Sequence, residues 1–106
     1  MNSKVYCGNA FLDSKDLKEN NLKNRIELEY YRTKKRKHCF FRENAETYGI
    51  EIVKKEYQGN KINVEKENVD KVSDKKTTID LILKKLKDFK VTPIALKDVV
   101  HDITQV

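Results

Sequence analysis

From Arg25 onward, apolar side chains fall on every second position, and from Ile79 onward they fall three and four apart. Ile26, Leu28 and Tyr30 share one side of a chain whose other side carries Glu27, Glu29 and Tyr31, the signature of a half-buried strand. Tyr48, Ile50 and Ile52 repeat the alternation, with Val53 opposite, and Ile62 with Val64 continues it. Gln58-Gly59-Asn60 supplies turn residues between these two runs. Ile79, Ile82, Leu83, Leu86 and Phe89 then form a helical stripe, with Ser73 as its expected N-cap. Thr92-Pro93 restarts the chain as N-cap and first helical residue, and Leu96, Val99, Val100 and Ile103 make a second stripe. Strands followed by helices argue for an α+β fold: an antiparallel sheet of about four strands, in two hairpins, with two C-terminal helices packed on one face.

The remaining expected strand is His38-Cys39-Phe40-Phe41-Arg42, returning from a basic turn at Thr33–Lys37. The two hairpins look loosely alike at Ile26-Glu27-Leu28 and Ile50-Glu51-Ile52. Residues 1–24 are polar with poorly phased apolar positions, and read as an arm that is weakly ordered or ordered by a partner. Residues 25–106 then make a single domain.

With 106 residues there is room for one domain and hardly two. Charged residues reach 38%, matching the hydrophobic share, which leaves too little apolar material for a large core around a deep cleft. No 18-residue apolar run and no signal-like h-region are present, so the sequence predicts a cytoplasmic protein without a membrane partner. Cys7 and Cys39 are then expected as free thiols. The net charge of +6 permits contact with nucleic acid, but 19 lysines against 4 arginines, with nine asparagines, also suits an AT-rich genome.

The segments Tyr48-Gly49-Ile50-Glu51-Ile52 and Val91-Thr92-Pro93-Ile94-Ala95-Leu96-Lys97-Asp98-Val99 resemble a small family of uncharacterised clostridial proteins. There a YGIE strand is followed by a helix and a V[TS]PxxLxDV terminus. The resemblance covers about residues 26–103. It implies a Gram-positive, spore-forming source and a cytoplasmic protein, and brings no activity with it. Both motifs also have structural readings, Gly49 at a strand start and Thr92-Pro93 at a helix start.

Five firm positive charges, on Arg32, Lys34, Lys35, Arg36 and Lys37, crowd into six residues next to His38. A hairpin tip so charged can lie along DNA phosphates, and each phosphate neutralised makes binding salt-sensitive. The plain alternative is a solvated turn whose lysines discourage edge pairing. The C-terminal helix pair has helix-turn-helix spacing, yet Asp98 and Asp102 oppose contact with phosphate and base edges. Cys7, His38, Cys39 and His101 show no metal-ligand spacing, and His38 and Cys39 would point to opposite faces of a strand. No phosphate loop, nucleophile elbow or zinc-protease motif occurs, so neither catalysis nor a cofactor or small-molecule substrate is expected.

Paired aromatics, Tyr30-Tyr31 and Phe40-Phe41, put rings on both faces of the sheet. Either the second face binds something through Tyr31 and Phe41, or the N-terminal arm covers it with Phe11 and Leu12. The sequence therefore points to a non-enzymatic regulatory or accessory protein of DNA-associated machinery, such as a recombination accessory factor or small transcription regulator. Its sheet would take a DNA-acting protein partner while the basic turn touches phosphates. The other reading is a pure protein-interaction module, a homodimer or adaptor, using Leu96, Val99, Val100 and Ile103 or the open sheet face.

Overall fold

A computed structural model describes residues 3–13, 15, 18, 24–37 and 45–104. Four strands, β1 (Ser3–Phe11), β2 (Arg25–Lys37), β3 (Ala45–Gln58) and β4 (Lys61–Ser73), form one antiparallel sheet in sequence order. Helix α1 (Lys76–Asp88), a 3-10 turn (Pro93–Ala95) and helix α2 (Leu96–Thr104) follow. The α+β class and the two C-terminal helices are as the residue pattern predicts. No helix among the described residues is long and apolar enough to cross a membrane.

Period two places Ile26, Leu28 and Tyr30 of β2 beside Ile50 and Ile52 of β3, all with no exposed surface. Against them pack Ile79, Ile82, Leu83 and Leu86 of α1, with Leu96 and Val100 of α2. Each such side chain contributes about 1.5–3 kcal/mol when fully buried. Phe89, the expected end of the α1 stripe, is 79% exposed instead, because the helix stops at Asp88 and the chain turns away. Its terminus is a Schellman closure: Val91 N–H donates to the Leu86 carbonyl at 2.9 Å and Lys90 N–H to that of Lys87 at 3.1 Å. Lys90 fills the left-handed position, at φ 53°. At the other end of α1 the N-cap is Lys75, not Ser73; the Ser73 hydroxyl accepts the Lys75 N–H at 3.0 Å from the end of β4.

Two segments depart from the sequence expectation. Thr33–Lys37 is not a turn but the last stretch of β2, paired with β3 up to Lys37 opposite Ala45. It contains no Gly, Pro, Asn or Asp to favour a bend, and its cations meet carboxylates across the sheet. The expected strand at 38–42 lies outside the described residues. Part of the expected arm, residues 3–11, is an edge strand paired with β2. Its alternation is concealed because the register shifts between Tyr6 and Gly8, a bulge that moves the later residues to the other parity. Leu12, just beyond it, is buried in the core on the helix side rather than over the opposite face.

Glycine is required at two places. Gln58 pairs with Lys61 across a two-residue turn in which Gly59 takes φ 59°, the first-position demand of a II′ hairpin. Gly49 faces the irregular stretch of β4: a Cβ there would run into the Val69 carbonyl oxygen and come within 2.7 Å of Thr33 Oγ1.

Candidate interaction surface

Because the helices cover one side of the sheet, the other side is bare of any described element. The strand registers set its rows: Tyr6, Tyr31, Glu51 and Asn68 in one, and Arg25, Tyr57 and Ile62 in another. Tyr6 (52% exposed), Phe11, Ile62 and Val64 stand out of this face along its two margins.

Its middle is a lattice of paired charges. Lys4 Nζ lies 2.8 Å from Glu51 Oε2 and 4.5 Å from the Tyr31 ring centre, and that hydrogen bond raises the lysine pKa. The rings of Tyr6 and Tyr31 meet edge to face at 5.6 Å. Burial, followed by Glu29, pushes the Tyr31 hydroxyl up; it donates to Glu29 Oε1 at 3.3 Å. Lys55 reaches the same carboxylate at 3.1 Å and is raised by it. Glu27 accepts from Asn9 Nδ2 at 2.8 Å and from the Tyr57 hydroxyl at 2.9 Å. The Asn9 bond first, then Tyr57, holds its carboxyl below the usual range. Arg25 sits 4.6 Å from the Phe11 ring centre. Lys4, Arg25, Lys35, Lys55 and Lys66 thus alternate with Glu27, Glu29, Glu51 and Asp70, and no single-sign field builds up.

The basic cluster is divided by the same strand geometry that forms this surface. Lys35 belongs to the bare face and lies 2.7 Å from Asp70. Arg32, Lys34 and Arg36 project to the helix side. Arg32 is bound to Asp80 of α1 at 2.9 Å and lies 6.0 Å from the Tyr48 ring centre, so it ties helix to sheet. Lys34 and Arg36 share one carboxylate, Glu46, at 3.6 and 3.8 Å. Lys37 closes the β2–β3 ladder. Arg32, Lys34, Lys35 and Arg36 are therefore split between the two faces, since neighbouring positions of a strand point opposite ways.

Of the residues expected to meet a partner, only Tyr31 lies on the bare face. Phe41 lies outside the described residues, as do His38 and Cys39. Leu96 and Val100 are buried beneath α2, while Val99 and Ile103 are partly buried against the same core. That stripe packs against the chain's own sheet and helix. The sequence reading missed Tyr6 and Lys4, which acquire their places only through β1; Phe11, expected as a cover for this face, stands at its margin from the same strand. Among the described residues no group of three potential metal ligands comes together. Open depressions occur, one of about 300 Å3 beside Lys4, Thr33, Glu51 and Asp70.

The YGIE resemblance turns out to be built of structural positions: Gly49 at the close approach to β4, Ile50 in the core and Glu51 holding Lys4. A family model described as a family of unknown function (DUF6514) matches residues 10–106. No curated protein and no solved structure matches the chain.

Proposed function

The chain belongs to the DUF6514 family of unknown function, and we propose that it is a non-enzymatic accessory or regulatory binding protein that docks a protein partner on its bare sheet face. One observation carries this reading: a four-stranded face without a covering element among the described residues presents Tyr6 and Tyr31 as a ring pair amid alternating charges. Tyrosine in such a setting gives contact area at low entropy cost, and interleaved opposite charges suit a mixed protein surface better than a polyanion. A spore-forming, clostridial source and a cytoplasmic setting belong to the same proposal. So does action on DNA-associated machinery, through the partner.

The test is comparative capture. A partner retained by the wild type and lost on Tyr6→Ser with Tyr31→Ser, at unchanged melting temperature, supports the reading. A partner held equally by both forms sinks it.

A second reading, direct contact with DNA phosphates, is favoured by one feature: Lys34 and Arg36 share a single carboxylate, Glu46, which leaves a positive charge in excess among these three described residues. Fluorescence anisotropy with a labelled duplex, at about 50 and 200 mM salt, separates the two. Binding that collapses with salt and weakens on Lys34→Ala with Arg36→Ala supports phosphate contact. No binding at the lower salt removes it.

A further inference from the structure

An open sheet has two edges, and here they are unequal. The β1 edge is interrupted by the shift between Tyr6 and Gly8. The β4 edge is regular from Lys61 to Asn68; irregularity begins only opposite Gly49, where Lys71 takes φ 54° and α2 packs beside Val69 and Val72. Along the regular stretch almost every residue is exposed, and Ile62 and Val64 stand 55% and 56% exposed. Among the described residues no strand pairs with this edge, and a row of open backbone donors and acceptors flanked by branched apolar side chains is a template for another strand.

The sequence of that edge fits one occupant, a second copy of itself. We propose that two chains join by antiparallel pairing of their β4 strands about a two-fold axis through Val64, giving a continuous eight-stranded sheet. In this register Val64 meets Val64, Ile62 lies opposite Lys66, Asn63 opposite Glu65, and Lys61 opposite Glu67. The Lys61–Glu67 pair of opposite charges is therefore made twice by symmetry. The two Ile62 and two Val64 side chains, all on the bare face, close into one apolar strip. Shifting the axis by two positions, onto Lys66 or Ile62, removes the agreement: the first sets Lys66 against Lys66, and the second sets Ile62 against itself but Lys61 against Asn63 and Val64 against Asn60. The paired stretch Lys61–Glu67 carries two lysines and two glutamates, so it is neutral within a chain of net charge +6. Self-association at this edge brings no net local charge repulsion.

This proposal is independent of the partner site, since a monomer would keep the Tyr6–Tyr31 face. Sedimentation equilibrium across a wide concentration range tests it on the full chain. The expected result is a reversible rise to twice the 12.5 kDa monomer mass. Lys61→Glu sets a second carboxylate against Glu67 and raises the dimer dissociation constant about tenfold. Val64→Lys sets two ammonium groups together on the axis and leaves only monomer. Combining Lys61→Glu with Glu67→Lys reverses both members of each pair and restores the dimer; far-UV circular dichroism and melting temperature check that each variant folds. Because Glu67 also lies 3.7 Å from Lys97, the two exposed single substitutions decide the matter if the double variant is unstable. A chain that stays monomeric at every concentration, or a dimer unmoved by both Lys61→Glu and Val64→Lys, overturns the proposal.

Discussion

The Tyr30 hydroxyl donates a hydrogen bond to the Val91 carbonyl at 2.9 Å, across 61 positions of sequence. It joins the centre of the sheet to the linker between the two helices. Burial pushes the phenol far up, which keeps the hydroxyl protonated and a donor. Val91 is itself fixed by its N–H to Leu86, and the contact therefore sets where α2 begins. Tyr30→Phe keeps the ring but strands a buried carbonyl. The expected loss is about 1–2 kcal/mol. Urea unfolding reads it as a lower midpoint at an unchanged slope.

Gly49→Ala should be costlier than its single methyl suggests. The new Cβ would press on backbone atoms, the Val69 carbonyl and the Asp70 Cα at 3.0 Å, and also on Thr33 Oγ1. Backbone on a paired strand cannot step aside without breaking the ladder. A loss of about 1–3 kcal/mol is expected, visible as a lower melting temperature. Thr33→Ser should not relieve it, because the carbonyl contact remains. A variant as stable as the wild type would remove the structural account of the YGIE segment.

The fold was legible where side-chain chemistry alternated cleanly. Ile26, Leu28, Tyr30, Ile50 and Ile52 announce their face by position alone, and Ile79 to Leu86 do the same for the helix. Legibility failed where a strand carries one kind of residue on both faces. Arg32 to Lys37 shows no contrast between sides, so a ladder looks like a tip; its order comes from Glu46, Asp70 and Asp80, which are distant in sequence. It failed again in β1, where one bulge between Tyr6 and Gly8 changes parity midway. The bare face was foreseen as Tyr31 with Phe41, or as covered by Phe11 and Leu12, but not with Tyr6 and Lys4, which belong to it solely through that pairing. The Leu96–Ile103 stripe was correctly apolar, but periodicity alone does not say whether such a stripe faces its own sheet or another chain.

Lys90 offers a stabilising change. It holds the left-handed position of the Schellman closure, where a Cβ crowds the neighbouring carbonyl and glycine does not. Lys90→Gly should release about 1 kcal/mol of that strain. Offsetting it is the partly exposed ion pair with Asp13 at 3.7 Å, which contributes less. The net expectation is a higher melting temperature, by a few degrees for a chain of this size. Lys90→Ala separates the two effects: it loses the ion pair, keeps the strain, and should melt lower than the wild type.

Glu27 connects the bare face to acid stability. Asn9 Nδ2 and the Tyr57 hydroxyl both donate to its carboxylate, and both bonds favour the ionised form. The folded-state pKa lies below the unfolded one, so the contribution to stability is complete above the ordinary glutamate value of about 4.3. It is lost as the pH falls through the lowered folded value. The same pair acts oppositely at high pH: Glu27, as acceptor, raises the Tyr57 pKa. That contribution is present below the ordinary tyrosine value and lost as pH rises through the folded one. The Glu27 side-chain carboxyl resonance, followed by NMR against pH, checks the order of causes. Asn9→Ala should move its midpoint upward toward the ordinary value, and Tyr57→Phe should move it less, because the Asn9 bond is the larger influence. No upward shift on Asn9→Ala would mean that Asn9, on the edge strand, does not hold Glu27, and would take β1 out of the bare face at that position.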